Sequence, residues 1–163
     1  MNEQQTAVAA LLAAKNISYN VTSLGPRTKR DSGEPWECDA WLCRFARAGK
    51  QEEFEYFTGT GHRKQVKPMV SPPYKKNTLA YEEWAKDAFR AVAPCAADVL
   101  YSLILDSSAT SQSFESWAKE LGYDTDSRKA EATYRACQQY ADKLVRIFDH
   151  ATRTELAALL EDY

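Results

Sequence analysis

The sequence is poor in the residues that most often hold metal ions or form cross-links. Its 163 residues include two histidines and four cysteines: His62, His150, Cys38, Cys43, Cys95 and Cys137. No two cysteines have the C-x-x-C spacing and the histidines are isolated, so we expect neither a metal site nor a disulfide framework. The cysteines are instead predicted to be structural thiols, because free cysteine behaves as a small buried hydrophobe.

Sequence patterns typical of nucleophilic catalysis are also missing. No serine stands in a G-x-S-x-G motif, and no cysteine has a histidine and an acid in its sequence context. His62 could act as a general acid or base, but a single histidine in a loop more often has no such role. We therefore expect a protein that is not an enzyme and that binds no cofactor.

Long hydrophobic runs are absent. The longest, residues 7–14, is too short to cross a bilayer, and the opening MNEQQ lacks the basic segment of a secretory signal. We expect no membrane contact and a cytoplasmic protein. Apolar residues nevertheless make up 44% of the sequence and aromatic residues 12%. This composition supports a hydrophobic core and is unlike that of disordered chains.

The net charge of −2 conceals an uneven distribution along the chain. Residues 1–76 carry an excess of basic side chains, and residues 77–163 carry an excess of acidic ones. The boundary falls near the end of a basic segment rich in proline, KPMVSPPYKKNT. The sequence therefore predicts two lobes, 1–76 and 77–163, with different surfaces.

Hydrophobic periodicity predicts an α+β fold. Residues 3–15 have the composition and spacing of an amphipathic helix. Alternation within 17–24, 36–49 and 51–62 predicts a three-stranded antiparallel sheet, with the helix covering one face. Turn-forming residues predict a basic loop at 25–35. The C-terminal half is predicted to be all-helical, with helices at 78–93, 94–106, 114–121, 126–148 and 153–163.

An acidic D-x-D turn at residues 124–126 leads directly into the long predicted helix. Asp126 stands where an N-cap belongs, and its carboxylate would meet the positive end of the helix. A metal site would need further oxygen ligands that the sequence does not identify. We therefore predict that Asp126 caps the helix. Arg128, Arg135 and Arg146 share one face of that helix, which is either a solvated face or a ridge for a nucleic acid or an acidic protein.

The segment TGTGHRK, residues 58–64, places flexible glycines beside three basic residues. A phosphate-binding loop would require a following helix, whereas prolines follow here, so a turn at the end of a strand is the favoured interpretation. The order of one helix, three strands and a basic segment nevertheless resembles the double-stranded-RNA-binding domain, in which a basic motif after the third strand contacts phosphates. The likeness covers residues 3–64 and implies nucleic-acid binding by the basic N-terminal lobe as the alternative function.

Two further segments together resemble small proteins encoded by bacteriophages and prophages. They are CDAWLCRF with FEYFTGTGHR, and the run from ADVLYSLILD through FESWAKEL to GYDTDSRKAEATYRACQ. The likeness covers most of the chain outside about residues 66–93, which look like an insertion. It implies an accessory protein that acts in the cytoplasm of the bacterial host cell by stoichiometric binding to a defence complex, above all CRISPR–Cas. The likeness supplies no catalytic residue.

The residues expected to contact the partner form a basic set and an acidic set. They are Arg27, Lys29, Arg30, His62, Arg63, Lys64, Arg128, Arg135 and Arg146, and Asp142, Asp149 and Glu155. The acidic set could occupy a basic nucleic-acid channel or a positive protein patch, whereas the basic set could meet guide RNA or DNA. The expected partner is a host defence protein or ribonucleoprotein, and direct contact with nucleic acid stays open.

The tryptophans are expected to lie mainly in the core. Trp36, Trp41, Trp84 and Trp117 all stand on apolar patterns. A tryptophan on the surface would instead be suited to anchoring a bound protein.

Overall fold

A computed structural model of the chain describes residues 3–30, 35–66, 68 and 71–161, with only the backbone described at 160 and 161. The helices are α1 (Glu3–Ala14), α2 (Leu79–Ala88), α3 (Ala96–Ala109), α4 (Phe114–Glu120), α5 (Arg128–Val145) and α6 (His150–Glu161). The strands are β1 (Ser18–Lys29), β2 (Trp36–Arg47), β3 (Lys50–Gly59), β4 (Lys64–Val66) and β5 (Arg90–Val92), with a 3-10 turn at Thr60–His62. The predicted α+β class is confirmed.

The first three strands form an antiparallel meander in the order β1-β2-β3. Ala48 and Gly49 join β2 to β3, and both have positive φ angles, 49° and 82°, as the two-residue turn of a tight hairpin requires. Because residues that face each other in an antiparallel pair share one side of the sheet, the register places Trp41 beside Tyr56 and Cys43 beside Phe54. These side chains form the buried face that the helices cover.

Strand β1 continues through residues for which the sequence predicted a loop. The strand ends at Lys29, and the register shifts between Ser23 and Gly25, where Gly25 has φ +87°. The strand forms a β-bulge at this point, where glycine adopts the positive φ angle without strain. Pro26 is tolerated because β1 is an edge strand, on which a missing N–H need not break a ladder. The prediction of a loop at 25–35 is therefore wrong for residues 25–29, and residues 31–34 lie outside the described residues.

The main hydrophobic core lies between the buried face of the sheet and the helices. Leu12 of α1 and Leu103 of α3 are fully buried, and Leu144 of α5 and Leu156 of α6 are nearly so. They pack with aromatic side chains of the sheet such as Phe45. Burial of one such aliphatic side chain stabilises a fold by about 1.5–3 kcal/mol. The core thus draws on residues from both sides of position 76.

A smaller cluster joins α4 to the start of α5. Trp117 is 2% exposed and stacks with Tyr123, at 5.3 Å between ring centroids. Ser113 caps α4 by accepting a hydrogen bond from the Ser116 amide, as predicted. Gly122 follows the helix with φ +74°, a left-handed conformation that glycine adopts without strain, so the predicted helix stop is also confirmed.

The C-terminal half is not entirely helical, which corrects the prediction. The helix expected over 78–93 ends at Ala88, and β5 pairs antiparallel with β4. Pairing with a strand distant in sequence overrides the local helical pattern, and no local pattern shows it. Pro94 is buried and precedes the N-cap residue Cys95, rather than standing inside the next helix. Within the described ranges, no helix has the length and apolar character needed to cross a membrane.

Candidate binding surfaces

The D-x-D turn is a local structural motif. Asp124 accepts a hydrogen bond from the Asp126 amide at 3.1 Å, whereas the hydroxyl of Ser127 accepts one from the Ala130 amide at 3.3 Å. Ser127 is therefore the N-cap of α5, and the prediction of Asp126 as the cap is wrong by one residue. Both residue types favour this position, so sequence alone does not distinguish them. No group of three or more potential metal ligands occurs among the residues that the structure describes.

The basic ridge on α5 consists of three residues in different surroundings. Arg135 pairs with Glu131 one turn earlier, at 2.5 Å, and Arg146 pairs with Glu52 of β3 at 2.8 Å. Arg128 is exposed in the first turn of α5 and forms no ion pair with a described residue. Two of the three cations are thus partly neutralised within the chain.

The basic residues predicted to lie in a loop stand mostly on β1. Arg27 pairs across the sheet with Glu55 at 2.8 Å, and the ammonium group of Lys29 lies 3.8 Å above the ring of Phe57. Arg30 is exposed just beyond the end of the strand. Two of these side chains therefore lie over the sheet as part of its outer face.

The basic segment after β3 is attached to the body of the protein. Arg63 makes two hydrogen bonds of 2.9 Å to Asp39, which is 4% exposed, and this contact raises the pKa of Arg63. Lys64 pairs with Asp98 at 2.9 Å in the first turn of α3. Although burial raises the pKa of Asp98, hydrogen bonds from Lys64 and neighbouring groups hold it well below its ordinary value. His62 is exposed in the 3-10 turn.

The predicted acidic residues also have structural roles. Asp149 accepts hydrogen bonds from the amide and hydroxyl of Thr152, at 2.8 and 2.7 Å, and so caps α6. It also pairs with Arg47 at 3.0 Å. The bonds from Thr152, with a smaller contribution from Arg47, hold the pKa of Asp149 well below its ordinary value. Glu155 pairs with Lys15 at 3.0 Å.

Asp142 differs from the other acidic residues because it lines a groove. The groove has a volume of about 540 Å³ and lies between α3, α5 and α6. Buried side chains such as Leu144 and Phe148 contribute to its lining, and Arg153 of α6 also lines it. Serine, threonine and glutamine residues of α3 and α5 and the turn after α3 also line the groove, so its lining is mixed rather than apolar. Taken with the preceding observations, the basic and acidic residues expected to contact a partner stand on different strands, turns and helices. The structure does not bring them together in one surface.

A polar pair lies beneath the sheet, where β3 meets α3. The Tyr56 hydroxyl donates a hydrogen bond of 2.5 Å to the Asp106 carboxylate. Burial raises the pKa of Tyr56, and the neighbouring carboxylate adds to that shift. Burial also raises the pKa of Asp106, although Tyr56 and nearby His62 act in the opposite direction. Cys137 lies near the same pair, and burial raises the pKa of its thiol to about 12. A thiol in this state is a poor nucleophile at neutral pH.

The sequence did not predict an exposed apolar feature of the described residues, which we call the arm and which comprises the described part of residues 64–92. Strands β4 and β5 pair at its base, and α2 lies between them in sequence. Thr78 caps α2 by accepting a hydrogen bond from the Tyr81 amide at 3.2 Å. None of the residues of α2 is buried. The helix thus forms without contributing a side chain to the core.

Aromatic side chains of the arm pack mainly on one another. Trp84 lies 5.7 Å from Tyr81 and 5.9 Å from Phe89 between ring centroids. Phe89 and Tyr74 are both 48% exposed, and Leu79 is 73% exposed. Trp36 and Trp84 were expected in the core but are only partly buried, unlike Trp41 and Trp117. The signal that could have revealed this surface is the presence of aromatic residues within a segment bounded by prolines.

Comparison with protein-family models, curated proteins and solved structures found no match to this chain.

Proposed function

We propose that the chain is a phage-encoded inhibitor that acts by stoichiometric binding to a bacterial defence complex, with CRISPR–Cas as the leading candidate. The observation that carries the binding role is the aromatic cluster of the arm, in which Tyr81 and Trp84 are partly buried and Phe89 is exposed. The phage setting and the defence target rest on the sequence resemblance alone.

The arm has the chemical character of a protein-binding element. Tryptophan and tyrosine are enriched among the residues that dominate binding energy at protein interfaces, and Trp84 and Tyr81 lie together on α2. Leu79 adds an aliphatic side chain that is 73% exposed. An exposed apolar patch on an otherwise well-packed protein is typical of an interaction site.

A role in nucleic-acid binding by the N-terminal lobe is the alternative. The order α1-β1-β2-β3 favours it, since this order also occurs in double-stranded-RNA-binding domains. However, the two basic residues expected to contact phosphate, Arg63 and Lys64, are paired with Asp39 and Asp98. Phosphate contacts would have to compete with these carboxylates, so we rank this function second.

The proposal is tested by expressing the chain in bacteria that carry an active defence system and challenging them with a phage that the system restricts. The readout is the efficiency of plating at graded expression levels. A stoichiometric inhibitor should restore plating only when its level approaches that of the defence complex, and it should co-purify with that complex after nuclease treatment.

Matched variants connect this activity to the arm. We expect Leu79→Glu with Trp84→Ala to abolish both inhibition and co-purification, since neither side chain belongs to the core. Leu121→Glu is the control, because it alters an exposed leucine outside the arm. Failure of the wild-type chain to protect phages from any tested system would contradict the proposed function.

A further inference from the structure

We propose that the arm binds an acidic protein surface that has an apolar centre. This inference rests on the proposed function for its biological setting, but it concerns the chemistry of the contact. The partner's apolar side chains would cover the exposed aromatic groups of the arm, and its carboxylates would face the arm's cations.

The charge of the arm supports this choice of partner. Residues 64–92 contain six lysine or arginine residues and three acidic residues, whereas the whole chain has a net charge of −2. Exposed cations flank α2 at both of its ends. Lys75 and Lys76 precede the helix, and Arg90 follows it at the start of β5. The arm is therefore a basic element on an acidic protein.

These cations differ from the arginines of the sheet in their surroundings. Each of the three sheet arginines, Arg27, Arg44 and Arg47, has a carboxylate partner within 3.0 Å. By contrast, Lys75 and Arg90 form no ion pair with any residue in the described part of the chain. The charges of the sheet are largely paired within the fold. In the arm, Lys64 is paired with Asp98, whereas Lys75 and Arg90 are available to a partner.

The cations lie next to the exposed aromatic side chains. Tyr74 immediately precedes Lys75, and Phe89 immediately precedes Arg90, so each end of α2 presents one exposed ring beside positive charge. Rings of this kind supply apolar contact area, while the cations select for negative charge and steer the encounter. An acidic surface with an apolar centre matches both properties.

The three acidic residues of the arm, Glu82, Glu83 and Asp87, all lie on α2 and are exposed. Tyr81, Trp84 and Ala88 recur at the three- and four-residue steps that define one helix face. Glu82 and Glu83 are exposed away from this face, whereas Asp87 stands three residues after Trp84 and borders it. The cations that we assign to the contact lie instead beyond the two ends of α2, at Lys75, Lys76 and Arg90.

A direct test uses fluorescence anisotropy with the full chain and two labelled probes. One probe is a peptide of alternating glutamate and leucine, which carries negative charge and apolar side chains. The other is an oligo(dT) single strand, which carries phosphates and bases that could stack on the same rings. Both are titrated at low and high salt, so that electrostatic and apolar contributions can be separated.

The decisive variant is Lys75→Glu with Lys76→Glu, and the matched control is Lys119→Glu with Lys129→Glu. All four lysines are exposed, and both variants change the charge equally, but the control sites lie outside the arm. We expect the arm variant to weaken peptide binding by about tenfold or more, and the control to change it by less than about twofold. Trp84→Ala should weaken peptide binding at both salt concentrations, because it removes apolar contact.

Equal loss of peptide binding in the arm variant and the control would overturn the inference, as would no peptide binding by the wild-type chain. Tighter binding of oligo(dT) than of the peptide, lost in the arm variant, would instead identify a nucleic-acid surface. These outcomes are independent of phage plating. The proposed function can therefore fail while the peptide result stands, and the reverse also holds.

Discussion

The guanidinium group of Arg63 forms a two-point contact with the carboxylate of Asp39, with both hydrogen bonds at 2.9 Å. This contact fastens the 3-10 turn after β3 to the central strand β2. Asp39 is 4% exposed, so its negative charge has little contact with water and is compensated by the positive charge of Arg63. A residue that the sequence suggested for phosphate binding thus stabilises the fold.

Removal of Arg63 is expected to destabilise the protein more than removal of an arginine whose ion pair is exposed. Arg63→Ala leaves the buried Asp39 carboxylate without its partner, and Arg63→Lys should recover only part of the loss because lysine cannot make the same two-point contact. Arg44→Ala is the control, because its pair with Glu53 is exposed on both sides and is worth about 0–1 kcal/mol. Urea unfolding measures the order. Equal effects at Arg63 and Arg44 would contradict this account.

The cap of α5 gives a prediction that separates two neighbouring residues. Ser127→Ala removes the hydroxyl that accepts the Ala130 amide, and we expect it to cost about 0.5–2 kcal/mol of unfolding free energy. Asp126→Ala should cost less, because that side chain does not cap the helix in the structure. Chemical denaturation of both variants measures the difference. A greater loss for Asp126→Ala would restore the assignment made from sequence.

The buried pair between Tyr56 and Asp106 gives a third prediction. Tyr56→Phe removes the hydroxyl that donates to Asp106, leaving a desolvated carboxylate without that bond. We expect a loss of about 1–3 kcal/mol in unfolding free energy. Tyr123→Phe is the control, since the Tyr123 hydroxyl makes no hydrogen bond to the described residues. A loss at Tyr56 no greater than that at Tyr123 would show that the pair contributes little.

The cap at Asp149 predicts a specific dependence of stability on pH. Its pKa is lower in the folded protein than its ordinary value of 3.8, so the ionised group stabilises the fold above that value. The contribution is lost as the pH falls through the lower, folded pKa. Asp149→Asn should therefore destabilise the protein near neutral pH, and its difference from wild type should shrink as the pH falls below about 4.

Urea unfolding at a series of pH values measures this difference. Asp142→Asn is the control, because it removes a carboxylate that neither caps a helix nor forms an ion pair within the described part of the chain. We expect it to alter stability little. A difference between wild type and Asp149→Asn that stays constant as the pH falls would contradict the role of the ionised cap.

Local sequence patterns predicted the meander and several helix ends because neighbouring residues determine them. Alternation in β2 and β3 reflects one face packed against helices, and Ser113 and Gly122 mark α4 through backbone requirements that are visible in sequence. The long helix was also predicted, although its cap was placed one residue too early, at Asp126.

The features that were missed depend on contacts between distant segments. The pairing of Val66 with Arg90 turns the end of a predicted helix into a strand. The ion pairs of Arg63 and Lys64 turn an apparent phosphate-binding motif into structural contacts, and no local pattern identifies Asp39 or Asp98 as their partners. The arm was missed because the spacing of its aromatic residues matches that of a buried helix face. Whether such a face is buried depends on what the helix packs against, and the local sequence does not determine this.

The most direct test of the central claim is co-purification of the chain with the defence complex that it inhibits, measured with and without nuclease. The account predicts a stoichiometric complex that resists nuclease, is lost in the Leu79→Glu, Trp84→Ala variant and persists in Leu121→Glu. Recovery of nucleic acid alone, lost after nuclease treatment and unchanged by the arm substitutions, would contradict it and favour the basic N-terminal surface.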